Sequence, residues 1–127
     1  ADRYATSNLI YQTEKVDESK WDEYIEWSED FEYNKIGIPR PDLVIFLDMP
    51  VEISQKLMTS RYNGDENKKD VHEANVVFLN ACRKSALYAA KKQGWAIVEC
   101  SDGKNPLPID VIHNKIIQIV EKELNNA

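Results

Sequence analysis

Leu43-Val-Ile-Phe-Leu47 sets five apolar residues in a row between Pro41 and Pro50, with no polar residue among them. A strand with one face in water alternates apolar and polar residues. An unbroken run this short instead fits a strand covered on both faces, as at the centre of a parallel sheet. Parallel strands need crossovers, which are usually helices, so the run already restricts the architecture. A second run of the same kind, Trp95-Ala-Ile-Val98, occurs further along.

Helical patterns surround both runs. Residues 6–16 carry Leu9 and Ile10 against polar neighbours and predict a short helix. Ser19, with Asp22 three residues on, resembles a capping box. Trp21, Tyr24, Ile25, Ser28 and Phe31 then recur at helical spacing and predict an amphipathic helix over about 19–33. Gly37, Pro39 and Pro41 mark the turn that ends it. A helix is expected over about 51–60, with Pro50 at its first turn. The stretch Arg61 to Asp70 has no apolar periodicity and reads as a mobile loop.

A long helix follows over about 71–93, with Ala74, Phe78, Ala81, Cys82, Ser85, Tyr88 and Ala89 on one side and Gly94 at its end. After the second strand, residues 101–106 form a turn. Ile109, Ile112, Ile116, Val120 and Leu124 give a final amphipathic helix. Strands alternating with helices argue an α/β fold with a parallel sheet. Two strands are few for such a sheet, so the chain reads as a single partial domain over 1–127.

Composition narrows the partners. The net charge of −6 offers no general basic field for a nucleic-acid backbone or an anionic membrane. No run approaches the ~20 apolar residues of a membrane span, and no signal-peptide pattern opens the chain. Cys82 and Cys100 lack metal-ligand spacing and read as reduced core thiols of a cytoplasmic protein. His72 and His113 have no partnering ligand pattern either. The helical spacing of Trp21 and Trp27 and the strand context of Trp95 favour packing for all three.

Chemistry concentrates at the strand ends, where open α/β sheets bind ligands. Asp48 follows the first run, where it reads as a turn or cap residue. Ser101-Asp-Gly-Lys104 follows the second, and Asp2-Arg3 opens the chain. Polar groups converging on one crevice beneath a loop suit phosphoryl transfer, where positioning and charge neutralisation do most of the work.

Asp2-Arg3-Tyr4, Ser7-Asn8 and Tyr11-Gln12 resemble the D-R-Y-x-x-S-N/S-x-x-Y-Q stretch of thymidylate kinases. The spacing to Pro41-Asp-Leu-Val-Ile-Phe-Leu-Asp48, the helix leading to Arg61, a lid over about 61–70 most similar to bacterial members, and the closing strand, turn and helix follow that family in order. The similarity covers essentially the whole chain but only the later part of the family's domain. It implies an α/β phosphate-loop nucleotide kinase fold and transfer of the ATP γ-phosphoryl group to dTMP, giving dTDP. It also implies Mg2+, and a homodimer in the full-length protein.

On this resemblance Arg3 binds the acceptor's 5′-phosphate through two charge-assisted hydrogen bonds. Asp2 sits beside the phosphates and is a candidate Mg2+ ligand. Ser7 and Asn8 line the nucleoside pocket, where an amide both donates and accepts, as a thymine edge requires. Tyr11 packs on the deoxyribose and disfavours a 2′-OH, and Gln12 adds a polar contact. Arg61 stacks on the ATP adenine, Lys68 and Lys69 neutralise the transferring group, and Asp102, Gly103 and Lys104 border the adenine. Without the resemblance, these residues also read as a surface ion pair, a helix cap, solvated helix and loop faces, and an ordinary turn.

Two departures from the family pattern stand out. The four glycines, at 37, 64, 94 and 103, form no G-x-x-x-x-G-K-[ST] phosphate loop. The chain therefore reads as the carboxyl-terminal part of such a kinase, without its N-terminal strands, and is expected to be inactive alone. In the lid, Asp70-Val71-His72-Glu73 has Val71 where many members carry Arg. The alternatives are another nucleoside or nucleotide kinase of the same fold, or a non-catalytic interaction module derived from one.

Overall fold

The computed structural model describes the backbone at 4–61 and 69–126, and the side chains at these positions except 58–61 and 69–75. Among the described residues five α-helices and two strands follow in the order α1 (Ala5–Tyr11), α2 (Trp21–Glu29), β1 (Ile45–Asp48), α3 (Val51–Arg61), α4 (Lys69–Gln93), β2 (Ala96–Glu99) and α5 (Ile109–Asn126). The expected order of helices and strands is thus observed. The chain divides into two compact units, Ala1–Asp42 with Ala81–Gly94, and Leu43–Asn80 with Trp95–Ala127.

The first unit is helical. Its core contains Ala5, Leu9, Thr13, Trp21, Ile25 and Ser28, together with Cys82, Ser85, Ala86, Ala89 and Ala90 from the second half of α4. The small side chains on α4 permit close approach. The buried Ser85 hydroxyl lies 2.7 Å from the Ile10 carbonyl and 2.9 Å from its own-helix Cys82 carbonyl, which ties α4 to α1. Trp21 adds the largest apolar surface. Its ring meets Tyr88 edge-on at 5.3 Å, and its indole N–H donates to the Val16 carbonyl at 2.9 Å. A buried aromatic with its polar tip paired loses nothing on desolvation.

Two local expectations fail here. The Ser19–Asp22 capping box does not form, because Glu18–Lys20 is a turn of 3-10 helix. Ser19 lies inside that turn, and neither helix start has a side-chain cap. The predicted continuous helix over 19–33 also changes register. It is α-helical only to Glu29 and continues as a π-helix over Asp30–Ile36. A π turn takes up more residues than 3.6, so the predicted apolar stripe is rotated beyond Glu29. Trp21, Ile25 and Ser28 are buried as expected, while Phe31 is exposed. Trp27 is 56% exposed and stacks on Phe31 at 5.4 Å instead of entering the core. Gly37, at φ +86°, closes the segment in a left-handed conformation that suits glycine.

In the second unit β1 and β2 pair in parallel, with Ile45 opposite Ala96 and Asp48 opposite Glu99. Backbone bonds from Ala96 to Val44 and from Cys100 to Asp48 extend the pairing at each end. The parallel α/β expectation is therefore met, with β2 displaced one residue towards the C-terminus and β1 starting two residues later and ending one later than expected. Burial on both faces is not. Leu47 is 51% exposed and Ile97 36%, and Val98 is the buried residue of β2. The described sheet has two strands, so each is covered from fewer sides than a central strand would be.

Pro50 opens α3, its carbonyl accepting from the Ile53 and Ser54 N–H groups, and Val51 and Ile53 are buried. The amphipathic α5 meets β2, where Lys115 Nζ donates to the Glu99 carbonyl at 3.2 Å. Ile112, Ile116 and Val120 are half-buried on it, whereas Ile109 and Leu124 are exposed.

Candidate functional site

The opening motif folds as a helix with two sides. Ala5 and Leu9 enter the core of the first unit, and α1 ends where the Gln12 N–H donates to the Asn8 carbonyl at 3.0 Å. Ser7 and Tyr11, one turn apart, and Asn8 between them form the opposite edge. Ser7 and Tyr11 are half-buried, and Asn8 and Gln12 are exposed. The structure thus brings Ser7, Asn8 and Tyr11 together on one short helix, with Gln12 at its C-cap.

Three contacts fix the surroundings of that edge. Tyr4 donates its hydroxyl to the Pro39 carbonyl, tethering the start of α1 to the chain beyond the π-helix. The Asn8 side-chain N–H donates to the Glu32 carboxylate at 3.5 Å. Arg40 lies 4.5 Å from the centre of the Tyr33 ring and 3.5 Å from the Glu29 carboxylate. Burial, then the negative charge of Glu29, pushes the Tyr33 hydroxyl above its ordinary pKa; burial, then Glu32, does the same at Tyr24. These two phenols stay protonated and able to donate at neutral pH.

Asp102, Gly103 and Lys104 lie together in the second unit, in the turn after β2. The Asp102 carboxylate accepts from the Asn105 N–H at 2.7 Å and the Lys104 N–H at 2.8 Å, and these bonds hold it below the ordinary carboxylate range. Its charge is spent on the turn itself. Gly103 takes φ +100°, a conformation other residues rarely adopt. The groove between β2 and α5, lined by Ile97, Glu99, Lys115 and Gln118 among others, includes none of the predicted site residues.

Asp2, Arg3 and Lys68 lie outside the described residues, as does most of the predicted lid. For Arg61 and Lys69 the backbone is helical, the former ending α3 and the latter starting α4, and their side chains are outside the description. Asp48 ends β1 and is half-buried. Among the described residues no group of three or more His, Cys, Asp or Glu side chains is arranged to hold a metal ion. Nor is any helix among them long and apolar enough to cross a membrane. Cys82 and Cys100 are free and buried, as expected.

Glu32, Tyr33 and Arg40 carried no signal in the sequence. Glu32 is 24 positions from Asn8, and an acidic residue on the side of Ile25 and Ser28 does not by itself name α1 as its neighbour. The cue that bears on it is Gly37, which marks where the helix must stop.

The profile of the thymidylate kinase family matches residues 1–116. Over 124 residues the chain is 26% identical to a probable thymidylate kinase 1 of Saccharolobus solfataricus, which covers 97% of this chain and 54% of that protein. It is 31% identical to a probable thymidylate kinase of Thermococcus onnurineus, covering 98% of this chain and 52% of the relative. A thymidylate kinase of Mycobacterium tuberculosis is 27% identical over 96 residues, 74% of this chain and 44% of its own length. The chain thus spans about half the length of the curated relatives it matches. No solved structure matches it with comparable significance. With a family profile running over nearly its whole length, through the polar helix, the parallel strands and the turn that follows them, the chain belongs to the thymidylate kinase family.

Proposed function

We propose that the chain carries the acceptor-nucleotide part of a kinase that phosphorylates dTMP to dTDP with ATP. The observation that supports this most is α1, which turns Ser7, Asn8 and Tyr11 to one accessible edge while Ala5 and Leu9 hold it in the core. An amide, a hydroxyl and a phenol on consecutive turns match a nucleoside: two-way hydrogen bonding for the base, and a flat apolar face for the sugar. Arg3, just before this helix, takes the 5′-phosphate, with Asp2 beside it. Lys68 and Lys69, in the lid, neutralise the transferring phosphoryl group, and Arg61 with the 102–104 turn borders the adenine of ATP.

Transfer in this chemistry depends on alignment and on charge neutralisation, with no covalent enzyme intermediate. The chain by itself has no glycine-rich phosphate loop to hold the donor's β- and γ-phosphates, so it binds acceptor and does not turn over. A coupled ADP-release assay with ATP, Mg2+ and a panel of nucleoside monophosphates tests both halves of this. The expected result is no ADP formation by the chain. For a longer protein that supplies a phosphate loop, turnover is expected with dTMP ahead of the other acceptors. Turnover by the chain alone overturns the inactivity; a purine or cytidine monophosphate as best acceptor overturns the substrate.

A further inference from the structure

Glu32 is held beside α1 by its backbone. Its carbonyl accepts from both the Gly37 and the Ile38 N–H at 3.1 Å, closing the π-helical segment. The Tyr4–Pro39 hydrogen bond ties the same stretch to the first residue before α1. Within this frame the Glu32 carboxylate receives the Asn8 side-chain N–H at 3.5 Å. π-helical turns recur at functional sites, and Glu32 lies within this one, four residues after the buried Ser28.

A carboxylate accepts hydrogen bonds and donates none, so it can face the NH2 of an amide and never its oxygen. Glu32 therefore selects one of the two flips of Asn8, leaving the amide oxygen and the second N–H for a ligand. The flip matters because pyrimidines differ in pattern. A 4-keto pyrimidine offers an N3–H donor beside the O4 acceptor, whereas a 4-amino pyrimidine offers an N3 acceptor beside an N4–H donor. One amide orientation in a fixed pose pairs with the first, and the flipped amide pairs with the second.

We propose that Glu32 is a positioning residue that fixes the Asn8 amide and so sets preference for a 4-keto over a 4-amino pyrimidine nucleotide, an inference that rests on reading the edge of α1 as the acceptor-base site. The substitution Glu32→Gln keeps size and shape but puts both a donor and an acceptor opposite Asn8, so either flip is accommodated.

The test measures affinities of the chain and its Glu32→Gln and Glu32→Ala variants for dTMP, dUMP and dCMP by titration calorimetry, with circular dichroism establishing that each is folded. The pair dUMP and dCMP differs only on the edge in question. Both variants are expected to lower the dUMP-to-dCMP affinity ratio about tenfold, the size of one misplaced hydrogen bond. In an Asn8→Ala background, Glu32→Gln is expected to change the ratio no further. A ratio unchanged in the variants while the unsubstituted chain binds dTMP overturns the role of Glu32 and leaves the acceptor reading standing. No saturable dTMP binding by the unsubstituted chain overturns that reading and this inference with it.

Discussion

Thr13 is fully buried, and its hydroxyl has no hydrogen-bond partner among the described residues. An orphaned hydroxyl forfeits its bonds to water without compensation, a loss of about 1–3 kcal/mol. Thr13→Val replaces that hydroxyl with a methyl on the same branched skeleton, so the preference of the first 3-10 residue is little altered. Taking the low end of the range, and allowing for the slightly larger methyl group, the substitution stabilises the fold by about 1 kcal/mol. At an unfolding entropy of about 2 cal/mol/K per residue, a cooperative unit of this length gains about 4 °C in Tm.

The companion Thr13→Ser keeps the hydroxyl and removes a buried methyl, destabilising by about 1 kcal/mol. Urea unfolding followed by tryptophan fluorescence, with equal m-values for the three proteins, gives the comparison directly. Stability unchanged or reduced in Thr13→Val refutes the reasoning, because it means the hydroxyl is satisfied in solution.

Burial pushes both the Cys82 and Cys100 thiols above their ordinary pKa. Neither should react with a disulfide reagent at pH 8 in the folded chain, and both should react within seconds in guanidinium; rapid labelling of the folded protein contradicts their placement. The Asp22 carboxylate, hydrogen-bonded by the Tyr88 hydroxyl and then Lys92, is held below its ordinary value of 3.8. A lowered folded pKa contributes stability that is present above the unfolded value and lost as pH falls through the folded one, so Asp22→Asn should flatten the acid limb of the stability profile below about pH 4. The same bond raises the Tyr88 pKa, adding stability that is lost as pH rises through its folded value; Asp22→Asn, which keeps an acceptor but removes the charge, should weaken that alkaline dependence too. Gly37→Ala meets no neighbouring atom within 4 Å but must hold φ +86°, so chemical denaturation should show a loss of about 1–2 kcal/mol from the backbone alone.

Long-range order was legible in this sequence wherever a pattern repeated over several turns. The apolar runs predicted β1 and β2 to within a residue or two, and on the predicted side of α4 Cys82, Ser85 and Ala89 are buried while Phe78 and Tyr88 are exposed. Local signals competed less well. Ser19 had a capping pattern, but a 3-10 turn took it out of the cap position. Phe31 obeyed a 3.6-residue period that the chain abandons at Asp30, and Trp27, on the exposed side of α2, stacks on Phe31.

The candidate site divides in the same way. Ser7, Asn8 and Tyr11 were readable because a single helix carries them, with Gln12 capping it. Glu32 was not, since its partner lies 24 positions away and a tertiary contact, which one helix's periodicity does not encode, brings the two together. Asp102 was readable as a turn, and its carboxylate proves to be committed to the backbone of that turn.

The central claim is that this chain holds an acceptor-nucleotide site on α1, and binding of dTMP to the chain measures it most directly. Calorimetric titration should show saturable binding at one site. It should be weakened about tenfold or more by Asn8→Ala, which deletes the amide proposed to meet the base, and left unchanged by Asn105→Ala in the other unit. No binding of dTMP at millimolar concentration to the folded chain, or binding indifferent to Asn8→Ala, would contradict the account.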